Sequence, residues 1–122
     1  MTETQVNTAI KLFCDEFITN PYIHRCEHSL HISLYNYLIK EDLQSISLCE
    51  NFKTSFVHKE FPGRKTNEKS ENKVDRTPID IVVLSEHQKQ VSINDFLEGN
   101  LIIDFAFEVS LEYGIEYNTA IF

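Results

Sequence analysis

Glu27 lies four residues after Ile23 and three before Leu30, in line with the apolar face of a helix expected from about Pro21 to Glu41. A carboxylate in line with such a face must be paired, protonated or bound to something, because removing a lone charge from water is costly. Glu108 and Ser110 stand two residues apart in a run of period two, so a strand sets them side by side on one face. Asp80 lies near the start of a second β-rich run, with Arg76 four residues upstream. Acids in strands often do no more than pair with arginine, lysine or backbone donors, and that plainer role is open to Asp80 and Glu108. His24, His28 and His31 share one helical face, with Cys26 nearby. Histidines at such spacing can converge on zinc, but no fourth ligand is evident, so an exposed polar face explains them as well. No glycine-rich phosphate loop, nucleophile elbow or Cys–His pair is present, and the chain has only three glycines.

The elements that position these residues follow from hydrophobic periodicity. Val6, Ile10, Phe13, Cys14 and Phe17 predict an amphipathic helix from about Thr4 to Thr19. Asn20-Pro21 closes it and opens a second helix, with Asn as cap and Pro at the first position. That helix buries Ile23, Leu30, Leu34, Tyr37 and Leu38. Lys53 to Phe61 is expected as one strand, with Phe52, Phe56 and Glu60 on one side and Val57 and Phe61 on the other. Ile79 to Leu84 forms a short strand after Pro78. Ser92 caps a helical turn that ends near Gly99. From Leu101 to Leu111 the alternation is unbroken: Leu101, Ile103, Phe105, Phe107, Val109 and Leu111 on one face, Ile102, Asp104, Ala106, Glu108 and Ser110 on the other. There is no internal repeat and no low-complexity segment.

This order of elements, with Glu27 on a helix, Arg76-Thr77-Pro78-Ile79-Asp80-Ile81-Val82-Val83-Leu84 and Phe107-Glu108-Val109-Ser110, resembles the PD-(D/E)XK nuclease superfamily. Val57-His58-Lys59-Glu60-Phe61-Pro62 is similar to the first core strand of several members, and the likeness spans roughly Pro21 to Tyr113. It implies a restriction-endonuclease-like α/β core, with a mixed β-sheet packed by N-terminal helices, and metal-dependent hydrolysis of nucleic-acid phosphodiesters. The residues matching the family's metal ligands are Asp80 and Glu108, with Glu27 assisting in catalysis. The implied cofactor is Mg²⁺ or Mn²⁺, held by hard oxygen ligands and supplying a hydroxide near neutral pH.

The chain departs from the family pattern in two places. The lysine that follows the second acid by two residues is here Ser110, which has no cationic end. Deleting a single stabilising donor elsewhere costs about 3–4 kcal/mol of transition-state stabilisation, so weak or absent catalysis is expected. Lys40, Lys53 and Lys59 are the candidate replacements; only Lys59 is on a core strand, and alternation points it away from the Glu60 face. The family core also continues past the third strand, whereas only Glu112 to Phe122 follow here, so the C-terminal part of the core is expected to be short or missing. An exposed strand edge favours self-association, and Ala120-Ile121-Phe122 suits a docking segment or the completion of the core.

Composition sets the outer limits. A chain of 122 residues, 42% hydrophobic and with nine phenylalanines, suits one globular domain over residues 1–122, with a polar loop at 62–77. No apolar run approaches the ~20 residues needed to span a bilayer, so no membrane association is expected. The first residues carry no basic-then-apolar signal pattern, and Cys14, Cys26 and Cys49 are an odd, widely spaced set. Both features predict a cytoplasmic protein with reduced thiols. The net charge of −8 opposes non-specific nucleic-acid binding. Five basic residues against three acidic ones give the Pro62–Thr77 segment a charge of +2, leaving −10 elsewhere. That basic loop can touch a phosphate backbone or serve simply as a solvated loop. A protein partner or homo-oligomer is the non-enzymatic alternative, using the same scaffold and its acidic surface.

Overall fold

The structure is a computed structural model that describes residues 1–42, 45–49, 52–63 and 77–112; for 45–49 it describes the backbone alone. Helix α1 spans Glu3–Thr19 and starts at a capping box, in which Thr2 Oγ1 accepts the Gln5 N–H at 3.1 Å and Gln5 Oε1 accepts the Thr2 N–H at 2.8 Å. Asn20-Pro21 does end α1, but Pro21–Ile23 forms only one 3-10 turn, and helix α2 runs from Glu27 to Glu41. The expected start at Pro21 is corrected by tertiary packing. His24 is extended and buried at the corner, with Nδ1 2.7 Å from Ser29 Oγ and its ring stacked near Phe17. A continuous helix would carry that ring elsewhere. Ile23 is consequently exposed, and the inward face of α2 is Leu30, His31, Leu34 and Leu38.

The expected strand from Lys53 to Phe61 is two strands, β2 (Phe52–Ser55) and β3 (Val57–Phe61), separated by a bend at Phe56. Neighbouring residues of a straight strand point to opposite faces; here Phe56 and Val57 are both buried. The bend is fixed by its own backbone groups, since the Phe56 N–H donates to Asp42 Oδ2 at 3.1 Å and its carbonyl accepts the Leu84 N–H at 2.8 Å. β2 pairs antiparallel with β1 (Ser45–Cys49), a strand the periodicity did not predict.

β3, β4 (Ile79–Leu84) and β5 (Ile103–Phe107) form a sheet in that order. All pairing among the described strands is antiparallel, which corrects the expectation of a mixed sheet. Sequence-adjacent strands are also spatial neighbours here, and parallel pairing would need crossover connections between them. β4 is the middle strand, and its last four residues, Ile81–Leu84, are fully buried. They join Val6 and Ala9 of α1, Leu34 and Leu38 of α2, and Phe56, Val57 and Phe61 in a single core.

Between β4 and β5 lies helix α3 (Ile93–Glu98), with the expected Ser92 cap and Gly99 stop. Ser92 Oγ accepts the Asp95 N–H at 3.0 Å, and Asp95 returns a carboxylate oxygen to the Ser92 N–H at 3.2 Å. That bond holds the Asp95 carboxyl below its ordinary pKa. Gly99 adopts φ +80, and a Cβ there would come within 2.9 Å of Pro62 Cβ. The close approach ties the end of α3 to the chain leaving β3. No helix among the described residues is long and apolar enough to cross a membrane.

Candidate metal centre

Three titratable side chains come together at the end of the sheet nearest α2, and two more lie beside them. β3 brings Glu60, β4 brings Asp80, the chain just beyond β5 brings Glu108, and the first turns of α2 bring Glu27 and His31. The β3–β4 register pairs Lys59 with Ile81 and Phe61 with Ile79, so Glu60 lies opposite Asp80. Two like charges directly opposite on neighbouring strands are destabilising. Glu60 also sits at φ +54, in the left-handed region that a residue with a Cβ seldom occupies. His31, on the buried face of α2, places Nε2 3.3 Å from Asp80 Oδ2. One ligand atom from each of His31, Glu60 and Asp80 falls within 4.8 Å of the other two, a spacing that can hold a metal ion. His31 is buried, Asp80 half-buried and Glu60 exposed, so the group has one open side.

Asp80 and Glu108 are neighbours, but they clasp backbone. The Asp80 N–H donates to Glu108 Oε2 at 3.1 Å, and the Val109 N–H donates to Asp80 Oδ2 at 2.9 Å. These reciprocal bonds take the place of ladder hydrogen bonds, and β5 ends at Phe107 instead of continuing to Leu111. Residues 108–112 lie outside the strand, so Glu108 and Ser110 do not share a pleated strand face as the alternation predicted. Ser110 lines an apolar groove of about 520 Å³ against Phe13, Phe17 and Leu30. Glu27 heads the line of Leu30, His31, Leu34 and Leu38 as expected, but at the first turn of α2 it is exposed, and its Oε2 takes a long 3.4 Å bond from the Leu111 N–H.

Of the residues matched to the family's ligands, Asp80 thus stands in the candidate centre, while Glu108 and Glu27 lie beside it as supports. His31 and Glu60 complete the group in their place. The sequence carried a signal for both. His31 stands four residues after Glu27 and three before Leu34, which puts it on the apolar stripe and buries it instead of leaving it on an exposed polar face. Glu60 was an acid among the phenylalanines of a strand face. The three histidines do not converge on zinc, because His24 turns to Ser29, His31 turns to Asp80, and His28 is exposed.

No described lysine or arginine forms an ion pair with Glu27, Glu60, Asp80 or Glu108. Lys40 lies over the Tyr37 ring, 5.3 Å from its centroid. Lys53 is on β2, away from the centre's strands. Lys59 faces with Ile81, as alternation predicted, and its Nζ is buried with no hydrogen-bond partner among the described residues. His58 is placed on the Glu60 side by the same register, near Phe61 and Phe96. Burial pushes its pKa down, against the smaller upward pull of the Ser55 carbonyl and Asp42. Arg76, the rest of the basic segment at 64–76 and the tail at 113–122 fall outside the described residues. The thiols of Cys14 and Cys26 are free and exposed.

No family model, curated protein or solved structure matches this chain.

Proposed function

We propose that this chain is a nuclease-like domain with a restriction-endonuclease-like core, binding a divalent cation at Asp80, Glu60 and His31. Glu108 and Glu27 hold the chain around that centre. The observation that carries this proposal is the cross-strand placement of Glu60 against Asp80 with the His31 ring beside them. A cation at that point would relieve the repulsion and leave an open side for a phosphate oxygen. There it would supply the Lewis acidity and activated water of metal-assisted phosphodiester hydrolysis. With Ser110 lining the groove and no described lysine paired to the acids, hydrolysis would be slow, and Mg²⁺ or Mn²⁺ binding the better-kept property. The net charge of −8 leaves the basic segment as the surface for nucleic acid.

A second role has its own support. Because Asp80 and Glu108 both accept backbone N–H groups, the acids also serve to fasten residues 108–109 to β4. A scaffold that used them only in this way would be a non-enzymatic protein binding a partner through its acidic surface.

Melting temperature measured with and without Mg²⁺ and Mn²⁺ separates the two. A ligand that binds only the folded state stabilises it by RT ln(1 + [L]/Kd), about 2.7 kcal/mol at a hundredfold excess over Kd. The metal centre predicts a rise in the parent that Asp80→Asn abolishes and Glu108→Gln, which keeps an oxygen for the Asp80 N–H, largely retains. Mn²⁺-dependent nicking of plasmid or cleavage of single strands would then test hydrolysis. No rise in a normally folded parent would remove the metal role and leave the partner-binding scaffold.

A further inference from the structure

The segment after β5 is held by the same side chains that build the candidate centre. Its Val109 N–H goes to Asp80 Oδ2 at 2.9 Å, its Val109 carbonyl meets His31 Nε2 at 2.6 Å, and its Leu111 N–H goes to Glu27 at 3.4 Å. A carboxylate oxygen has lone pairs enough to accept an N–H and bind a cation together. An imidazole nitrogen does not. The Val109 carbonyl can only accept, so the hydrogen between them belongs to His31 Nε2, and a nitrogen that donates has no lone pair left for a metal. Nε2 is also the ring atom placed 3.3 Å from Asp80 Oδ2. One atom therefore faces two exclusive partners, the Val109 carbonyl and a cation shared with Asp80.

We infer that the His31–Val109 hydrogen bond is a latch, opened by a divalent cation that takes nitrogen and left shut by one that takes only oxygen. This inference rests on the metal centre proposed above and names how that centre is regulated. Mg²⁺ dehydrates reluctantly and is bound through one or two carboxylates and its own waters, so Glu60 and Asp80 suffice for it. Mn²⁺ belongs to the first-row series that accepts nitrogen together with oxygen donors, and it draws in His31. When Nε2 gives its proton to water and Nδ1 takes one up, the ring stays neutral and the freed Nε2 lone pair can take the cation. The Val109 carbonyl then loses this partner, while the bonds from the segment to Asp80 and Glu27 remain. That segment is one wall of the groove lined by Phe13, Phe17, Leu30, Val109 and Leu111. Cation type at the centre thus sets how firmly that wall is held, and so how accessible the groove is.

The test uses the full chain with MnCl2 or MgCl2. Loss of the free Mn²⁺ signal in electron paramagnetic resonance reports binding, and nitrogen modulation in pulsed spectra of the bound ion reports whether an imidazole is a ligand. Amide hydrogen exchange over residues 109–112 reports the latch. Mn²⁺ should bind with nitrogen coupling and speed exchange in this segment by about three- to tenfold, the effect of losing one net hydrogen bond. Mg²⁺ should leave the exchange unchanged or slower. His31→Gln, whose amide can still donate to the carbonyl, should bind Mn²⁺ more weakly, without nitrogen coupling and without the faster exchange. Bound Mn²⁺ lacking nitrogen coupling in the parent, or showing it while exchange at 109–112 is unchanged, overturns the latch and leaves a carboxylate metal centre standing. Absence of Mn²⁺ binding altogether overturns both.

Discussion

Glu60→Gln is expected to change sign with the metal content of the buffer. The substitution keeps length and shape at an exposed position, so it removes charge with little change in packing. The nearest ligand oxygens of Glu60 and Asp80 are no more than 4.8 Å apart. Two unit charges at 4.8 Å in a water-like medium repel by about 0.9 kcal/mol. Cross-strand charge pairs elsewhere are worth about 0.2–1 kcal/mol, and His31 beside Asp80 offsets part of the repulsion. Relief of about 0.5 kcal/mol should raise the melting temperature in chelator by about 2 °C for a domain of this size. The strain at φ +54 is common to both side chains and cancels. In saturating Mn²⁺ the order should reverse, because the parent gains binding free energy that the variant, lacking one carboxylate ligand, gains less of. Differential scanning fluorimetry of the two proteins, with EDTA and across a Mn²⁺ titration, gives both numbers. A variant that melts below the parent in EDTA would mean that Glu60 is held by favourable contacts, not repelled. Parallel curves across the titration would mean that it is no ligand.

Three further outcomes concern the scaffold. Gly99→Ala should cost about 1–3 kcal/mol, since a Cβ at φ +80 would meet Pro62 Cβ at 2.9 Å and Pro62 O at 3.0 Å; urea unfolding measures it, and a neutral result would mean that Pro62 gives way freely. Ser92→Ala should cost about 1 kcal/mol in the same assay by removing the capping box of α3, with Ser92→Asp retaining most of the parent stability. His58, its pKa held below the ordinary 6.5 by burial, contributes stability that is fully present above pH 6.5 and is lost as pH falls through the lower folded value. Urea midpoints should therefore fall more steeply between pH 7 and pH 5 in the parent than in His58→Gln, and identical slopes would assign the acid sensitivity to other groups.

The sequence by itself determined the elements whose signals are local. The stripe of α1 apart from Cys14, which is exposed, the run Ile79–Leu84, the Ser92 cap with the Gly99 stop, and the alternation from Ile103 onward reappear in the structure. Each depends on residues only a few positions apart, which is the range over which periodicity and capping act. Motif resemblance also brought Asp80 and Glu108 together, and they are neighbours.

Tertiary structure decided the rest. Alternating burial continues through residue 112, yet β5 stops at Phe107, because a strand requires a partner's backbone as well as a pattern of its own. At that point the Asp80 and Val109 N–H groups are taken by carboxylates. α2 starts late because His24 packs back toward α1. Glu60 joins Asp80 because β3 pairs with β4 in one register, and a slip of one residue would send it to the opposite face. His31 belongs to the centre because α2 crosses the strand ends at that turn. Register and helix crossing are set by burying the whole core at once, so no local window of the sequence contains them.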